Sequence, residues 1–591
     1  MRSIGVALVL WTGITACGER EVARGPVWVP LAIGGSERVA LGNLTADGFE
    51  LNPGANRVIR GIDLSQGGAL TLTWLANAPG SVLSLRVHPD GGTEHVFEFS
   101  AELPKVPQDV RVNLPVFDGA ATLVFGAEDG SGLVVVDPVL GPVEIGTPGA
   151  RTYPTRPDVF FLMADTFRKD NVGFQLERAA DGEVHALTPA IDAFAKSAAR
   201  FHGARAAATW TLPSHAAIFA GRYPAELGVV DNETRLPASV TTLAEHMRAA
   251  GYRTVAITDA GFVSAAFGLD QGFAHFEETG RIKRARFNRT LAAVKRVLAR
   301  DDGRPLFLFV QSYRAHSWVV DEETRKRLGG STTFRPNEVF QSPDWSGRML
   351  ELLKTAAHGE QMQGAEYEAV VRSMIPNYRG ASADADAGFG RVLSQLDRRG
   401  GIEDHITVFT SDHGEDLGSH GVVSHGNGVW DGQALVPLLV RAPGIEAVDV
   451  DRSVTLIDLP RTICGLVNLA PDERWRGADL FAATAPERTL FVFQTLPART
   501  RYVAALEGGW KFIFRDEEGP QELVFAYDLN ADPGELENRS AEHRGSARVE
   551  VLRKQLQGLY DRGSVADPVD LEPSQRDHLE SLGYAPGSDG R

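Results

Sequence analysis

The segment Ile406-Thr-Val-Phe-Thr-Ser-Asp-His-Gly-Glu415 decides the fold of this chain. Its first half is an almost unbroken apolar run, which is typical of a strand buried on both faces of a parallel sheet. Its second half places the side chains of Asp412 and His413 directly after that strand. Ligands of open parallel sheets bind beyond the carboxyl ends of the strands, so the segment predicts an α/β domain with a site at that edge.

Three further apolar runs have the same character, and Asp165 follows the first of them. They are residues 159–163, 254–257 and 306–310. Amphipathic stretches such as 242–250, which ends at Gly251, are predicted to be helices between the strands. The resulting α/β domain is predicted over residues 157–500. An acid after one strand is usually a helix cap, but metal-type ligands after two strands indicate a metal site.

The flanking regions have other patterns. Residues 27–145 contain period-2 segments such as 69–74 and 82–87, separated by turn residues, which predict an antiparallel β-sandwich domain. That domain is either a carbohydrate- or surface-binding module or a spacer. After a Gly/Pro-rich linker at 141–156 and the α/β domain, residues 501–591 predict a small C-terminal α+β subdomain with a few short strands and an amphipathic helix.

Composition sets limits on the class of protein. The 591 residues carry 60 Lys and Arg against 77 Asp and Glu, a net charge of −17, and only two cysteines. A hydrophobic fraction of 43% with 23% charged residues indicates globular domains and excludes general disorder. Two cysteines exclude a disulfide scaffold. The acidic balance argues against nucleic-acid binding, whereas a bound metal would still permit a small anionic substrate.

The first 17 residues, MRSIGVALVLWTGITAC, predict export. Arg2 precedes an apolar run that is too short to cross a bilayer. The four residues ending at Cys17 resemble a bacterial lipobox, so we expect cleavage before Cys17, its lipidation, and anchoring to a membrane of the cell envelope. A plain signal peptide with an incidental cysteine is the alternative. Cys464, in an apolar stretch, is then expected to be a buried core thiol.

A third element, Thr211-Leu-Pro-Ser-His215, carries a hydroxyl. Pro213 is tolerated in the first turn of a helix, so Thr211 is predicted to lie at or just before a helix N-terminus. There its hydroxyl and the free N–H groups would face one anion-attracting volume. The alternative role for Thr211 is a simple N-cap. As a nucleophile, a threonine hydroxyl needs a base or a metal to lower its pKa.

Taken in order, these motifs resemble the sulfatase family within the alkaline phosphatase superfamily. The motifs are Asp165-Thr-Phe-Arg-Lys-Asp170, Thr211-Leu-Pro-Ser-His215 with Gly221-Arg-Tyr-Pro224, Ser411-Asp-His-Gly-Glu415 with Gly418-Ser-His-Gly421, and Tyr527-Asp-Leu-Asn-Ala-Asp-Pro-Gly-Glu535. The resemblance covers residues 157–584 and leaves the sandwich outside. It implies an alkaline-phosphatase-like parallel sheet sandwiched by helices.

The resemblance also implies the roles of individual residues. One divalent metal would be held by Asp165, Asp412 and His413, with Thr211 as nucleophile and further ligand. Contacts to the substrate anion would come from Asn232, His215, His316 and His425, and His316 or His425 would protonate the leaving group. Glu415 and His420 would be supporting or structural residues. One histidine nitrogen beside oxygen ligands favours Mn²⁺ or Zn²⁺ over Mg²⁺ or Ca²⁺.

Departures from the family pattern change the expected chemistry. Sulfatases of this family have Cys, sometimes Ser, at position 211 and Arg at position 215, and the Cys is oxidised to formylglycine. Thr211 cannot become formylglycine, and Ala164 replaces an acidic ligand that many members have. These residues resemble the phosphoryl-transfer members of the superfamily. A second Asp/His cluster is not found in the sequence, which by analogy favours phosphodiesters or sulfate-like monoanions over phosphomonoesters.

The sequence thus predicts a metal-dependent hydrolase or transferase that acts on phosphoric, or sulfuric, esters through a metal-activated threonine. Its substrate would be a small or a glycan- or lipid-linked anionic ester. A true sulfuric ester hydrolase without formylglycine and a catalytically degenerate surface-binding lipoprotein are the alternatives. A structural envelope protein is a third. The oligomeric state stays open.

Overall fold

The computed structural model of the chain describes strand segments between residues 29 and 141 and most of residues 156–579. Gaps in the second part lie at 174–185, 281–286, 301, 317–354, 356–360, 401–403, 483–486, 497–499, 518, 564–565 and at scattered positions from 570 onward. The predicted signal peptide with Cys17 and most of the predicted linker lie outside the described residues.

The strands and helices are numbered in chain order. The N-terminal strands are β1 Val29–Pro30, β2 Glu37–Leu41, β3 Leu44–Leu51, β4 Asn56–Asp63, β5 Gly68–Ala76, β6 Val82–Pro89, β7 His95–Ser100, β8 Gln108–Leu114, β9 Ala120–Glu128 and β10 Leu133–Gly141. The next are β11 Asp158–Ala164, β12 Ala199–Arg205, β13 Thr234–Arg235, β14 Arg253–Thr258, β15 His275–Glu278, β16 Leu306–Ser312, β17 His405–Ser411, β18 Asp416–Leu417, β19 Val423–Ser424, β20 Leu438–Arg441 and β21 Asp449–Thr455. The last are β22 Leu490–Gln494, β23 Tyr502–Glu507, β24 Trp510–Asp516, β25 Pro520–Asp528 and β26 Asp567–Pro568. The helices are α1 Pro189–Ala195, α2 Thr211–Ala220, α3 Pro224–Leu227, α4 Leu243–Ala249, α5 Phe287–Ala299, α6 Ala365–Gly400, α7 Asp431–Ala434, α8 Leu459–Leu466, α9 Ser540–His543 and α10 Ala547–Tyr560.

The α/β domain is built on a mixed, mostly parallel sheet in the order β21-β12-β20-β17-β11-β16-β14-β15. Its central strands β17, β11, β16 and β14 run parallel and are buried on both faces. One face packs on α2, α4 and α8, and the other on α1, α5 and α6. The near-continuous apolar runs therefore form the interior strands, and the predicted fold class is confirmed.

The N-terminal strands form two antiparallel sheets around one core. The orders are β3-β10-β5-β8 and β4-β9-β6-β7, and residues such as Leu72, Trp74, Leu85 and Phe125 fill the space between the sheets. Strand β3 also pairs antiparallel with β15, with Thr45 opposite Phe276. The sandwich therefore continues the sheet of the α/β domain at its edge, which the sequence did not predict.

The C-terminal part contains the sheet β22-β23-β24-β25, against which α10 packs. Because β22 belongs to this sheet, the sheet crosses the domain boundary predicted at residue 500. Phe493 of β22 is hydrogen-bonded to the backbone of Thr209, two residues before the predicted nucleophile. Cys464 is buried in α8, as predicted. Among the described residues, no helix combines the length and the apolar character needed to span a bilayer.

One substitution is expected to weaken the junction between the sandwich and the sheet of the α/β domain. Thr45 pairs with Ala40 on one side and Phe276 on the other, so Thr45→Pro removes a ladder donor from an interior strand. We expect faster amide hydrogen exchange in β3 and β15 and unchanged exchange in β11 and β17, measured by mass spectrometry. Thr45→Val keeps the N–H and should exchange like the wild type; equal protection in both variants would contradict the pairing.

Candidate active site and metal centre

Neighbouring strands bring two acidic side chains together at the carboxyl edge of the sheet. Strands β11 and β17 are parallel neighbours with Ala164 opposite Ser411, so Asp165 and Asp412 leave the sheet side by side. One ligand atom from each of Asp165, Asp412 and His413 lies within 4.8 Å of the others. The structure thus gathers the three predicted metal ligands at one point.

A strained turn directs the chain immediately after strand β11. Thr166 has a φ of 54°, in the left-handed region that β-branched residues rarely adopt. Its N–H donates to Asp412 Oδ1 at 3.2 Å, and its carbonyl accepts from the Tyr378 hydroxyl of α6 at 2.7 Å. Helix α6 therefore helps to hold the turn in the conformation that keeps both carboxylates at the site.

The two carboxylates are buried and have oxygens that no described residue satisfies. Asp412 Oδ1 accepts from the N–H groups of Thr166 and His413, whereas Asp412 Oδ2 and Asp165 Oδ1 have no hydrogen-bond partner among the described residues. Burial raises the pKa of both carboxyls, and the neighbouring Asp412 raises that of Asp165 further. A divalent cation would satisfy both oxygens and offset the repulsion, so these residues fit a metal.

His413 completes the ligand set. Its Nδ1 lies 2.9 Å from the carbonyl oxygen of Gly414, which assigns the proton to Nδ1 and leaves the Nε2 lone pair facing the carboxylates. Burial and the neighbouring His425 lower the pKa of His413 well below its usual value. The imidazole is therefore neutral, as a metal ligand must be.

The Thr211 hydroxyl lies at the same point. Thr211 is the first residue of α2, and Trp210, not Thr211, is the N-cap residue. Thr211 Oγ1 donates to Asp165 Oδ2 at 3.3 Å and lies 3.4 Å from His413 Nε2. The hydroxyl thus faces the ligand atoms and does not cap the helix.

His215 lies one turn further along α2 and is wholly buried. Its Nδ1 is 2.9 Å from the carbonyl oxygen of Thr211 and 3.5 Å from Asp412 Oδ2, and its ring packs against Phe219 and Phe309. Burial lowers the pKa of His215 to about 4. This position supports the helix and Asp412 from behind, so the predicted substrate contact of His215 finds no support here.

Two further predicted histidines lie beside the candidate metal ligands. The ring centroids of His425 and His413 are 4.6 Å apart, and those of His425 and His316 are 5.0 Å apart. His425 Nδ1 lies 3.0 Å from Glu415 Oε1, so the carboxylate favours a proton on Nδ1 and fixes the ring. Burial and the neighbouring His425 lower the pKa of His316 to about 3.

The remaining candidates are further from the reacting atoms or less directly placed. Asn232 is half-buried in the turn between α3 and β13. His420 stacks on Trp430 at 4.7 Å between ring centroids, and its Nδ1 lies 3.3 Å from Asp416 Oδ2. The stacking gives His420 a structural role in the loop between β18 and β19.

One supporting residue was missed by the sequence reasoning. Asp259 directly follows β14, and its Oδ2 accepts from Ser312 Oγ at 2.7 Å and from Tyr313 N at 3.1 Å. It thereby fixes the start of the turn that carries His316. The signal that found Asp165, an acid directly after a buried strand, was also present at Asp259.

Comparison with known proteins agrees with this arrangement. The model of the family described as Sulfatase matches residues 157–469, more than half of the 591-residue chain. The chain belongs to the sulfatase family. The resemblance noted in the sequence is confirmed, and with it the prediction of an ester hydrolase.

Sequence relatives of this sulfatase-family chain include two sulfatases, and a phosphonate monoester hydrolase has a similar fold. An ulvan-active sulfatase of Formosa agariphila is 25% identical over 73% of this chain and 86% of its own length. A choline-sulfatase of Rhizobium meliloti is 27% identical over 66% and 83%. A phosphonate monoester hydrolase of Agrobacterium radiobacter has the same fold, with a TM-score of 0.52 and 21% identity over 71% of this chain and all of that one.

The metal centre predicts a change in thermal stability. We expect chelation of divalent ions to lower the melting temperature and Mn²⁺ or Zn²⁺ to restore it, since a ligand at a hundred times its Kd stabilises by about 2.7 kcal/mol. In Asp165→Asn the ion-dependent shift should disappear, while the ion-free protein melts no lower than the wild type because one repelling carboxylate is gone.

Calorimetry of Asp259→Asn provides the control. Its carboxylate already accepts hydrogen bonds from Ser312, Thr279 and the Tyr313 backbone, so this variant should lose stability but keep the ion-dependent shift. A wild-type melting temperature that responds to none of the divalent ions would contradict the metal centre.

Proposed function

We propose that this sulfatase-family hydrolase cleaves phosphoric or phosphonic monoanionic esters with Thr211 Oγ1 as nucleophile and one divalent metal as cofactor. One observation carries the proposal: the Thr211 hydroxyl lies within 3.4 Å of both Asp165 Oδ2 and His413 Nε2, where the metal ligands converge. A hydroxyl that served only the helix would face the backbone.

The ligand set defines what a metal would supply. Asp165, Asp412, His413 and Thr211 would hold it, and it would lower the pKa of the threonine hydroxyl and offset the charge of the ester oxygens. Mn²⁺ and Zn²⁺ suit this mixture of carboxylate and imidazole ligands. Formylglycine is not part of the proposed reaction, because position 211 holds a threonine.

The protein's own groups account for the bond changes. Thr211 Oγ1 gives its proton to Asp165 Oδ2, the acceptor of its hydrogen bond, and forms a bond to phosphorus while the bond from phosphorus to the leaving oxygen breaks. His425 delivers its Nε2 proton to that oxygen, and the carboxylate of Glu415 stabilises the charged ring beforehand. Water, or an acceptor hydroxyl, then attacks phosphorus and gives its proton to the neutral His425, while the bond from phosphorus to Thr211 Oγ1 breaks and Oγ1 takes back its proton from Asp165. His316 remains beside His425 as a polar contact for the substrate.

Sulfate esters are the second candidate, because two relatives are named as sulfatases. Phosphoric and phosphonic esters are ranked above sulfate esters as substrates for a chemical reason. A formylglycine hydrate releases its sulfate by breaking its own C–O bond, whereas a threonine sulfate must be hydrolysed at sulfur.

The location and carrier of the ester are also proposals. The ulvan-active relative supports a glycan-linked ester, and the lipobox-like sequence before Cys17 supports export and anchoring in the cell envelope. A glycan at the cell surface is compatible with both.

Thr211 can be tested by turnover of four esters: an aryl phosphodiester, a phosphonate monoester, a phosphomonoester and an aryl sulfate. In Thr211→Ala we expect kcat to fall by about 10³-fold or more for whichever ester the wild type hydrolyses. Acid-quenched wild-type enzyme should carry the phosphoryl, or sulfuryl, group on the peptide containing Thr211, as read by mass spectrometry.

Thr242→Ala is the matched control for this substitution. Thr242 caps α4 with its side chain, so its loss should cost about 1 kcal/mol of stability and leave kcat unchanged. Full activity in Thr211→Ala would exclude it as nucleophile, and a sulfate ester as the best substrate would favour the second candidate.

The acid role of His425 predicts a dependence on the leaving group. His425→Ala should slow an alkyl ester by about 10²–10⁴-fold and an aryl ester with an acidic phenol much less, because a good leaving group needs no proton. His316→Ala is the matched variant. The reverse pattern, with the dependence in His316→Ala only, would assign the acid to His316.

A further inference from the structure

A buried ionic cluster connects the C-terminal sheet with the α/β domain. It consists of Arg205, Asp431, Lys511 and Glu535. Lys511 Nζ lies 2.6 Å from both Asp431 Oδ1 and Glu535 Oε1, and Arg205 pairs with both oxygens of Asp431 at 2.9 and 2.6 Å. Lys511 is fully buried in β24, and Glu535 is 2% exposed. Two cations thus balance two anions away from solvent.

Stability alone is a weak reason for such a cluster. Removing charged groups from water costs several kcal/mol each, and an apolar replacement of similar volume is often as stable. The neighbours of Lys511 in the sheet, such as Phe512 and Ile513, are apolar and buried. The charges are therefore better explained by a role in fixing the relative positions of the segments that carry them.

The cluster fixes the beginning of the short helix α7. Asp431 is the first residue of α7, and its backbone N–H donates to Glu535 Oε2 at 2.5 Å. Glu535 itself has a φ of 55°, so its backbone is held in a strained conformation. Lys511 bridges the carboxylates on both sides of this contact and offsets their repulsion.

The other side of α7 holds the two loops of the active site. The Gly432 carbonyl accepts from Glu415 N at 2.9 Å, and the Gln433 carbonyl accepts from Gly414 N at 2.7 Å. Gln433 Nε2 donates to Asn427 Oδ1 at 2.7 Å. Residues 413–415 and 425–427, which carry Glu415 and His425, are thus both bonded to α7.

The packing at this contact leaves little room for adjustment. A side chain at Gly414 would bring its Cβ within 2.3 Å of the Gly432 carbonyl oxygen. A displacement of α7 would therefore move residues 413–415 directly. It would change the 3.0 Å separation between Glu415 Oε1 and His425 Nδ1.

We propose that Lys511 is a positioning residue for the reaction. It holds Asp431 and Glu535 together, α7 follows Asp431, and the carbonyls of α7 set Glu415 against His425. The inference rests on the proposed role of His425 as the acid. It gives the C-terminal subdomain a function in catalysis without contact to substrate.

Lys511→Met tests this proposal by removing the charge and keeping most of the side-chain volume. We expect kcat for an alkyl ester to fall about tenfold to a hundredfold, because small displacements of a catalytic group cost that much. The aryl ester should change several-fold less and KM should stay within about twofold. A second variant, Lys511→Met/Glu535→Gln, removes one charge of each sign. If the single variant does not fold, the same comparison of alkyl and aryl esters is made with this double variant.

Arg399→Met is the matched control. Arg399 Nε pairs with Asp158 Oδ2 at 2.7 Å in a buried ion pair at the other end of β11. Its loss should lower the melting temperature without separating alkyl from aryl esters. A leaving-group dependence in His425→Ala but in neither Lys511 variant would overturn the positioning role alone. If His425→Ala shows no leaving-group dependence, both the assignment of His425 as the acid and this inference are overturned.

Discussion

Two carboxylates that meet in the interior of the protein are the constraint on which the site depends. Asp165 and Asp412 are fully buried at the ends of adjacent strands, and their charges cannot both persist there without a cation. The surrounding groups are arranged for that situation. Among the described residues, backbone N–H groups bind Oδ1 of Asp412 and leave Oδ2 available, and the Gly414 carbonyl holds His413 in the tautomer that offers Nε2.

The sheet makes this arrangement rigid. Residues that are far apart in sequence become neighbours because β11 and β17 pair in parallel register, and the helices on both faces hold the strands in place. The site then needs only short connections. Thr166 turns the chain after β11, and Phe493 of the C-terminal sheet is hydrogen-bonded to the segment before α2. The strain at Thr166 is tolerated because the folded core determines its position.

The sequence allowed the strands to be predicted, and it indicated Asp165, Asp412 and His413, which the structure brings together, as candidate metal ligands; both inferences depend on local patterns. Buried parallel strands read as apolar runs, and an Asp directly after such a run reaches the carboxyl edge wherever the strand lies in the sheet. What depends on pairing between distant segments was not predicted. The join of β3 with β15 has no local signal. Asp259 had the signal of an acid after a buried strand, but its hydrogen bond to Ser312 could not be predicted from that signal.

The same limit explains why the orientation of the His215 side chain was not predicted. Its spacing from Thr211 placed it on the right helix, but the sequence could not say which way the ring points. The structure turns the ring towards Phe219 and Phe309, where its Nδ1 meets the carbonyl of Thr211. By contrast, the sequence placed Glu415 just after the apolar run of β17 and indicated His425 only through the family resemblance, and their pairing required the fold around α7.

A threonine at position 211 has a physical consequence of its own. A β-branched side chain in a helix has few χ1 rotamers, so the direction of Oγ1 is restricted before substrate binds. Here that direction leads to Asp165 and His413, at 3.3 and 3.4 Å. In the proposed reaction, this restriction means that the Thr211 side chain loses less conformational entropy on attack than a more mobile serine would. In the proposed reaction the ester on Oγ1 must be cleaved at phosphorus or sulfur, because a threonine, unlike a formylglycine hydrate, has no second hydroxyl on the same carbon to help break its own C–O bond.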